Sequence, residues 1–228
     1  MPSLFRQAYA LVRTQIQQGV LSLGQVISSR KTAEELGMSF IPVSKAFLQL
    51  ESEGFLESRQ RAGTRVRIPT PEEVRGYFVL REALEMHTAR IFSERATPDE
   101  RREVKRIAAK VDELWGSPDK NAFREVHVQL HRRIAECARS AALAEAIDNV
   151  HALVSAWSCG AIVHDPSRVV RIHRNLARTV CGNDPDKASA AMQQHVREGL
   201  SEALRHLEPY FTIRKKAGAR FTRKKVSR

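Results

Sequence analysis

The chain has 228 residues, 42% of them hydrophobic and 28% charged, an ordinary balance for a water-soluble protein with room for one large domain or two modest ones. No apolar run approaches the roughly 20 residues that span a bilayer. The opening Met1-Pro-Ser-Leu-Phe-Arg6 has neither the basic nor the long apolar part of a signal peptide, so a cytoplasmic protein with no membrane partner is expected. Cys137, Cys159 and Cys181 make an odd count with no CxxC spacing, which argues against a disulfide framework or a thiolate zinc site; reduced cysteines packed on helices are expected. The net charge of +12 is concentrated at the two ends. Residues 1–70 carry nine Lys/Arg against five Asp/Glu, residues 211–228 carry eight against none, and residues 71–210 carry 21 of each. Basic ends on a neutral centre fit a nucleic-acid contact confined to part of the molecule. A solvated, disordered tail explains 211–228 equally well.

Leu4, Ala8, Leu11, Val12 and Ile16 lie at helical spacing, and Gly19 with Leu23-Gly24 marks the end of that helix and a turn. A short helix follows from Ser29 to Leu36, capped by Ser28 or Ser29 and stopped by Gly37. The next opens at Ser39, carries Pro42 in its first turn, and places Val43, Ala46, Phe47 and Leu50 on one face. Beyond Gly54, residues 55–59 and 64–68 read as strands joined by a tip at 60–63. Three helices with a tight second turn and then a basic hairpin form the order of a winged helix-turn-helix.

From Glu72 on, only helical patterns follow, over about 72–95, 98–115, 120–138, 140–160, 166–181 and 185–208. Thr97-Pro98-Asp99-Glu100 reads as a capping box and Asp184-Pro185 as a cap with proline at the first helical position. Short loops join these segments into an antiparallel bundle. The expected fold is therefore mainly α: a winged helix-turn-helix over 1–70, an all-helical domain of six to seven helices over 71–210, and a basic, disordered tail over 211–228.

In the 39–53 helix the core stripe leaves Ser39, Phe40, Ser44, Lys45 and Gln49 outward, at the end that meets base edges in such domains. Arg59, Arg61, Arg65 and Arg67 stud the hairpin, and Arg30 can clamp a phosphate from the preceding helix. A solvated surface explains any one of these charges, but not so easily the set. The stretch AEELGMSFIPVSKAFLQLESEG over residues 33–54 resembles the DNA-binding domain of GntR-family repressors, whose wing glycine Gly63 matches. The resemblance implies that Arg30 contacts DNA; Ser39, Phe40, Ser44, Lys45, Arg61, Gly63 and Arg65 are the further candidates that the outward face of the helix and the wing offer. Phe40 and Ser44 stand where the family has arginines, and Lys45 where an acid is usual. Two bidentate guanine readers are thus missing, and a divergent operator is expected.

His127 and His131 are four apart on one helix, with His173 and His195 on two later ones. Such a set can bind a metal inside a bundle, although spacing alone suits ordinary core or surface histidines better. No catalytic motif accompanies them: Val128 follows His127 where a His-Glu-x-x-His motif needs its glutamate, and there is no phosphate loop or nucleophile elbow. Residues 72–208 are similar to the ligand-binding (FCD) domain of the FadR-type branch of the GntR family. The similarity rests on Leu80-Arg-Glu-Ala-Leu-Glu85, Leu130-His131 and the block from His173 to His195. In metal-binding members an aspartate four residues before the first histidine joins three histidines on Zn²⁺ or Ni²⁺. The resemblance therefore implies a divalent metal on His131, His173 and His195, with His127 in the aspartate's place. Ile172, where the family often has glutamate, implies an altered surround. It also implies a small organic or sugar acid as effector, with Arg81 as its basic partner; an ion pair between Arg81 and Glu85 is the alternative use of that arginine.

These observations together lead us to expect a homodimeric, metabolite-controlled regulator, a repressor, on a pseudo-palindromic double-stranded operator. The rival is a metal-dependent small-molecule enzyme with an accessory DNA-binding-like module.

Overall fold

The computed structural model describes residues 2–59, 63–158 and 170–223, with side chains through Arg214. These form two units. The first comprises the chain up to Thr70, the last turn of α7 (Ala141–Ser158) and α9 (Pro185–Arg223) from Leu207 onward; the second comprises the remaining helices.

The first unit begins with α1 (Leu4–Gln17), α2 (Ser29–Glu35) and α3 (Phe40–Ser52). Ser3 and Ser28 cap the first two helices by accepting from the amides of Arg6 and Lys31, each satisfying one of the amides that a helix start leaves unpaired. Ala8, Val12 and Ile16 of α1 and Val43, Ala46, Phe47 and Leu50 of α3 are buried. Gly37 and Gly54 end α2 and α3 at positive φ, where a side chain would be strained.

The wing is an antiparallel sheet in the order β1 (Val26–Ile27), β3 (Gly63–Val66), β2 (Leu56–Arg59), with Leu56 opposite Val66 and Arg59 opposite Gly63. The sequence pattern shows the hairpin but not β1. Two residues carry no periodicity, and β1 exists only because β3 offers it an edge.

The second unit is helical: α4 (Pro71–Arg95), α5 (Pro98–Glu113), α6 (Lys120–Glu136), α7 up to Val154, α8 (Ile172–Val180) and α9 up to His206. The capping box at Thr97 and Glu100 forms as the sequence implies. Its core includes Phe92, Val104, Ile107, Val111, Leu130, Ile134, Val180, Met192 and Val196. The helix expected over 166–181 starts at Ile172, and 166–169 lie outside the described residues, as do residues 159 and 160 of the helix expected over 140–160.

One expectation is corrected. Residues from 211 do not begin as a disordered tail, since α9 runs through Pro209 to Arg223. Proline removes one helical hydrogen bond, but Leu207 and Phe211 on either side of it are both buried. Arg214 also donates to the Ile68 carbonyl, so packing outweighs the local break.

Candidate metal centre and nucleic-acid face

The second unit gathers a cluster of five histidines drawn from four helices: His127 and His131 from α6, His151 from α7, His173 from α8 and His195 from α9. The i, i+4 spacing puts His127 and His131 on one face, with ring centroids 4.7 Å apart. The Nε2 atom of His131 lies 3.3 Å from that of His127 and 3.4 Å from that of His195. Four nitrogens held about 2.0–2.1 Å from one tetrahedral ion sit roughly 3.3–3.4 Å from each other, so these two separations match the edges of such a site. The His173 ring completes the group, its centroid 5.1 Å from that of His127 and 5.3 Å from that of His195. Ligand atoms of His127, His173 and His195 all lie within 4.8 Å of one another, as do those of a second group, Glu85, His131 and His151.

A carboxylate behind His173 sets its tautomer, and a second carboxylate lies against His131. Asp112 Oδ1 lies 2.8 Å from His173 Nδ1. Glu85 Oε2 lies 2.5 Å from His131 Nδ1, an ion-pair contact without hydrogen-bond geometry. In the His173 ring Nδ1 therefore carries the hydrogen and Nε2 keeps its lone pair for a metal. Asp112 also accepts from the backbone amides of His173 and Arg174, at 3.1 and 2.9 Å. It thereby caps α8, whose own N-cap Arg171 makes no side-chain bond.

Glu85 is fully buried and sits between cations and donors. Arg81 Nε donates to its Oε1 at 2.8 Å, and His151 Nε2 donates to the same oxygen at 3.0 Å. Burial opposes ionisation of Glu85, but Arg81 foremost, then His131 and His151, hold its carboxyl well below the usual carboxylate range. Burial pushes His151 down to about 4, helped by the charge of Arg81. Burial and mutual repulsion also push His127 and His195 well below the ordinary histidine range. Buried imidazoles that stay neutral near pH 7 are suited to be ligands, because no proton has to be displaced.

All four histidines singled out from sequence thus meet. Glu85, Asp112 and His151 were missed as parts of the centre, and the available signal was faint. His151 is one polar residue in the apolar run 150–154, and such a residue needs a buried partner. Arg81 is placed differently from its expected direct role. It is buried, bonded to Glu85, and stacked over Phe78 with Cζ 4.9 Å from the ring centroid, so the ion pair is what forms.

In the first unit, Arg30, Ser39, Phe40 and Lys45 are exposed and Ser44 is half-buried along the start of α2 and α3. Ser39 occupies the N-cap of α3 without making a side-chain capping bond. Gly63 starts β3 at φ 74°. Arg65 is half-buried and shares Glu57 with Arg59, at 3.7 and 3.1 Å. Part of the wing's positive charge is thereby neutralised within the sheet. Arg61 lies outside the described residues.

A winged helix-turn-helix with a basic face, in one chain with a helical unit that gathers buried histidines, defines a DNA-binding regulator with a sensing domain. Residues 4–66 match the family described as "Bacterial regulatory proteins, gntR family" and residues 77–198 match the FCD domain. The chain belongs to the FCD-containing GntR family of transcription regulators, and the enzyme alternative falls. It is 28% identical over 186 residues, 80% of each chain, to the "Probable D-xylose utilization operon transcriptional repressor" of Paenarthrobacter nicotinovorans. It is 24% identical over 210 residues, 89% of each chain, to the HTH-type transcriptional repressor RspR of Escherichia coli K12. Among solved structures, E. coli McbR/YncC shares the fold at a TM-score of 0.74 and 20% identity, over 90% of this chain and 99% of that one. No helix among the described residues is long and apolar enough to cross a membrane.

Proposed function

We propose that the chain is a cytoplasmic, homodimeric repressor whose helical unit holds one divalent transition metal, Zn²⁺ or Ni²⁺, on His127, His131, His173 and His195. A small organic or sugar acid bound at that metal controls its grip on a pseudo-palindromic operator. The observation that carries this reading is the convergence of imidazole Nε2 atoms at tetrahedral-edge spacing, with the Asp112 carboxylate fixing the tautomer of His173. Neutral nitrogen ligands leave the ion's double charge in place, which favours an anionic ligand in an added coordination position. His127 and His195 are the half-buried members of the set, so the effector approaches from their side. Arg81 contributes by keeping Glu85 ionised. The repressor role and the sugar-derived effector follow two relatives described as repressors, one of them the probable repressor of a D-xylose utilization operon.

Dimerisation is supported by α4. Its inner side buries Val74, Phe78, Ala89 and Phe92, while Val79 and Leu80 are 68% and 44% exposed. Gly76 and Ala83 lie on the same outer side, at the i, i+3, i+4, i+7 spacing of a helix-pairing face. A two-fold axis across such a face pairs it with itself.

The test is selection of host DNA fragments by metal-loaded protein, followed by a panel of small acids added to the recovered complex. One class of acid should release the DNA, and its effect should vanish in His173→Ala. Release by the acid from metal-free protein would contradict the role given to the metal.

A further inference from the structure

The exposed first turn of α3 is chemically unusual for a helix that meets base edges. Phe40 is 46% and Ile41 66% exposed, side by side behind the unbonded hydroxyl of Ser39. The core stripe Val43, Ala46, Phe47 and Leu50 leaves Ile41 on the far side of the helix, while Phe40, seven residues before Phe47, flanks that stripe at its open end. The Phe40 ring is also held in place: Arg30 lies over it, with Cζ 5.8 Å from the centroid, close enough for a cation–π contact. Phe40 forms one wall of a shallow depression between α2 and α3 lined also by Arg30, Ala33, Glu34 and Met38, and Ile41 follows it on the exposed side of the turn. Lys31 and Lys45, both exposed, flank the site and supply the positive charge that draws a duplex to it.

From this placement, and resting on the reading of the chain as an operator-binding regulator, we infer that Phe40 and Ile41 select thymine in each half-site by packing on its 5-methyl group. A hydrocarbon side chain has one favourable apolar partner in the major groove, the thymine methyl, whereas the purine edges present hydrogen-bond donors and acceptors. A guanine at the facing position would press its N7 and O6 acceptors against Phe40 and Ile41 with no donor to satisfy them, so the same surface rejects it. Arg30 fixes the angle of the ring and reaches towards the phosphates, leaving Lys45 and the serines as the polar readers beside it.

The thymine methyl is the atom group to remove. In the operator recovered by fragment selection, each thymine is replaced in turn by deoxyuridine, symmetrically in both half-sites. Affinity of the full-length protein is then read by fluorescence anisotropy at fixed salt. Burial of one methyl group corresponds to about a fourfold change in affinity per half-site, or roughly fifteenfold for the pair. The expected result is one such thymine pair in wild type, with the loss reduced to below about twofold in Phe40→Ala and largely retained in Phe40→Leu. Phe40 is exposed, so neither substitution removes core. An operator that is bound but indifferent to every deoxyuridine replacement overturns the inference while leaving the regulator standing, as does a loss that is the same in Phe40→Ala. Failure to enrich any fragment with either metal-loaded or metal-free protein overturns both.

Discussion

Replacing Asp112 by asparagine removes one charge behind the histidine centre and almost no volume. Asp112 accepts three hydrogen bonds: Oδ1 takes the amide and Nδ1 of His173, and Oδ2 takes the amide of Arg174. Burial opposes its ionisation, but the His173 ring and the two amides hold its carboxyl below the usual range. An asparagine keeps one acceptor. If its oxygen takes the place of Oδ1, its amide nitrogen faces the Arg174 N–H, donor against donor, and one bond is lost. The other two fall from charge-assisted to neutral strength, at about 1 kcal/mol each, so the total is about 3 kcal/mol. For a chain of this size that is a fall in Tm of roughly 6–12 °C. Metal binding suffers separately, because the neutral amide holds the His173 tautomer less firmly. Such changes behind a ligand cost roughly 10–100-fold in metal affinity, so added Zn²⁺ would stabilise the variant by about 1.4–2.7 kcal/mol less than wild type. Calorimetric melts of stripped protein, with and without one equivalent of Zn²⁺, separate the two effects. A variant that loses stability but shows an unchanged gain from Zn²⁺ would refute the role given to Asp112 and His173.

Three further predictions concern other parts of the chain. His151→Phe removes a donor to Glu85 but no ligand of the four-histidine site, so it should keep one metal per chain by elemental analysis; loss of stoichiometry would favour the Glu85–His131–His151 group instead. Val79→Glu places like charges across the expected two-fold axis at an exposed position, so sedimentation should show monomers with a near-native Tm. Its operator affinity should fall roughly 100-fold or more as the paired half-sites act singly; a dimer with unchanged affinity would show that another face pairs. Glu100 is drawn down to about 2 from a usual 4.5, first by the Thr97 amide, against some opposition from burial, and then by Arg139. Its folded pKa is depressed, so its contribution is complete above about pH 4.5 and lost as pH falls towards 2. Glu100→Gln should therefore be less stable at pH 7 by denaturant titration and show a flatter decline between those values.

The winged unit was legible because its punctuation is local. Ser28 and Ser39 start helices, Gly37 and Gly54 end them, and the core stripes repeat at helical spacing. β1 was not, since its pairing is decided by a strand some forty residues further along the chain. The run of α9 past Pro209 was hidden for a similar reason: the local rule says stop, and the burial of Leu207 and Phe211 on either side overrides it. At the centre, the spacing of His127 and His131 announced a shared face and His173 and His195 stood out on two later helices, while the resemblance to the FCD domain raised the set above ordinary core histidines. Glu85, Asp112 and His151 come from three other helices and meet the histidines across long stretches of chain, so no window of sequence displays them. The Arg81–Glu85 pair could be read from its spacing; that its purpose is to charge the carboxylate behind His131 needed the fold.

X-ray absorption at the metal edge of protein purified with its native metal tests the four-histidine centre most directly. One ion per chain, with four nitrogen scatterers of imidazole type at about 2.0–2.1 Å and a drop towards three in His127→Ala, is the predicted result. A metal-free protein that still binds its operator and answers an acid, or a first shell dominated by oxygen and unaltered in His127→Ala, would contradict it.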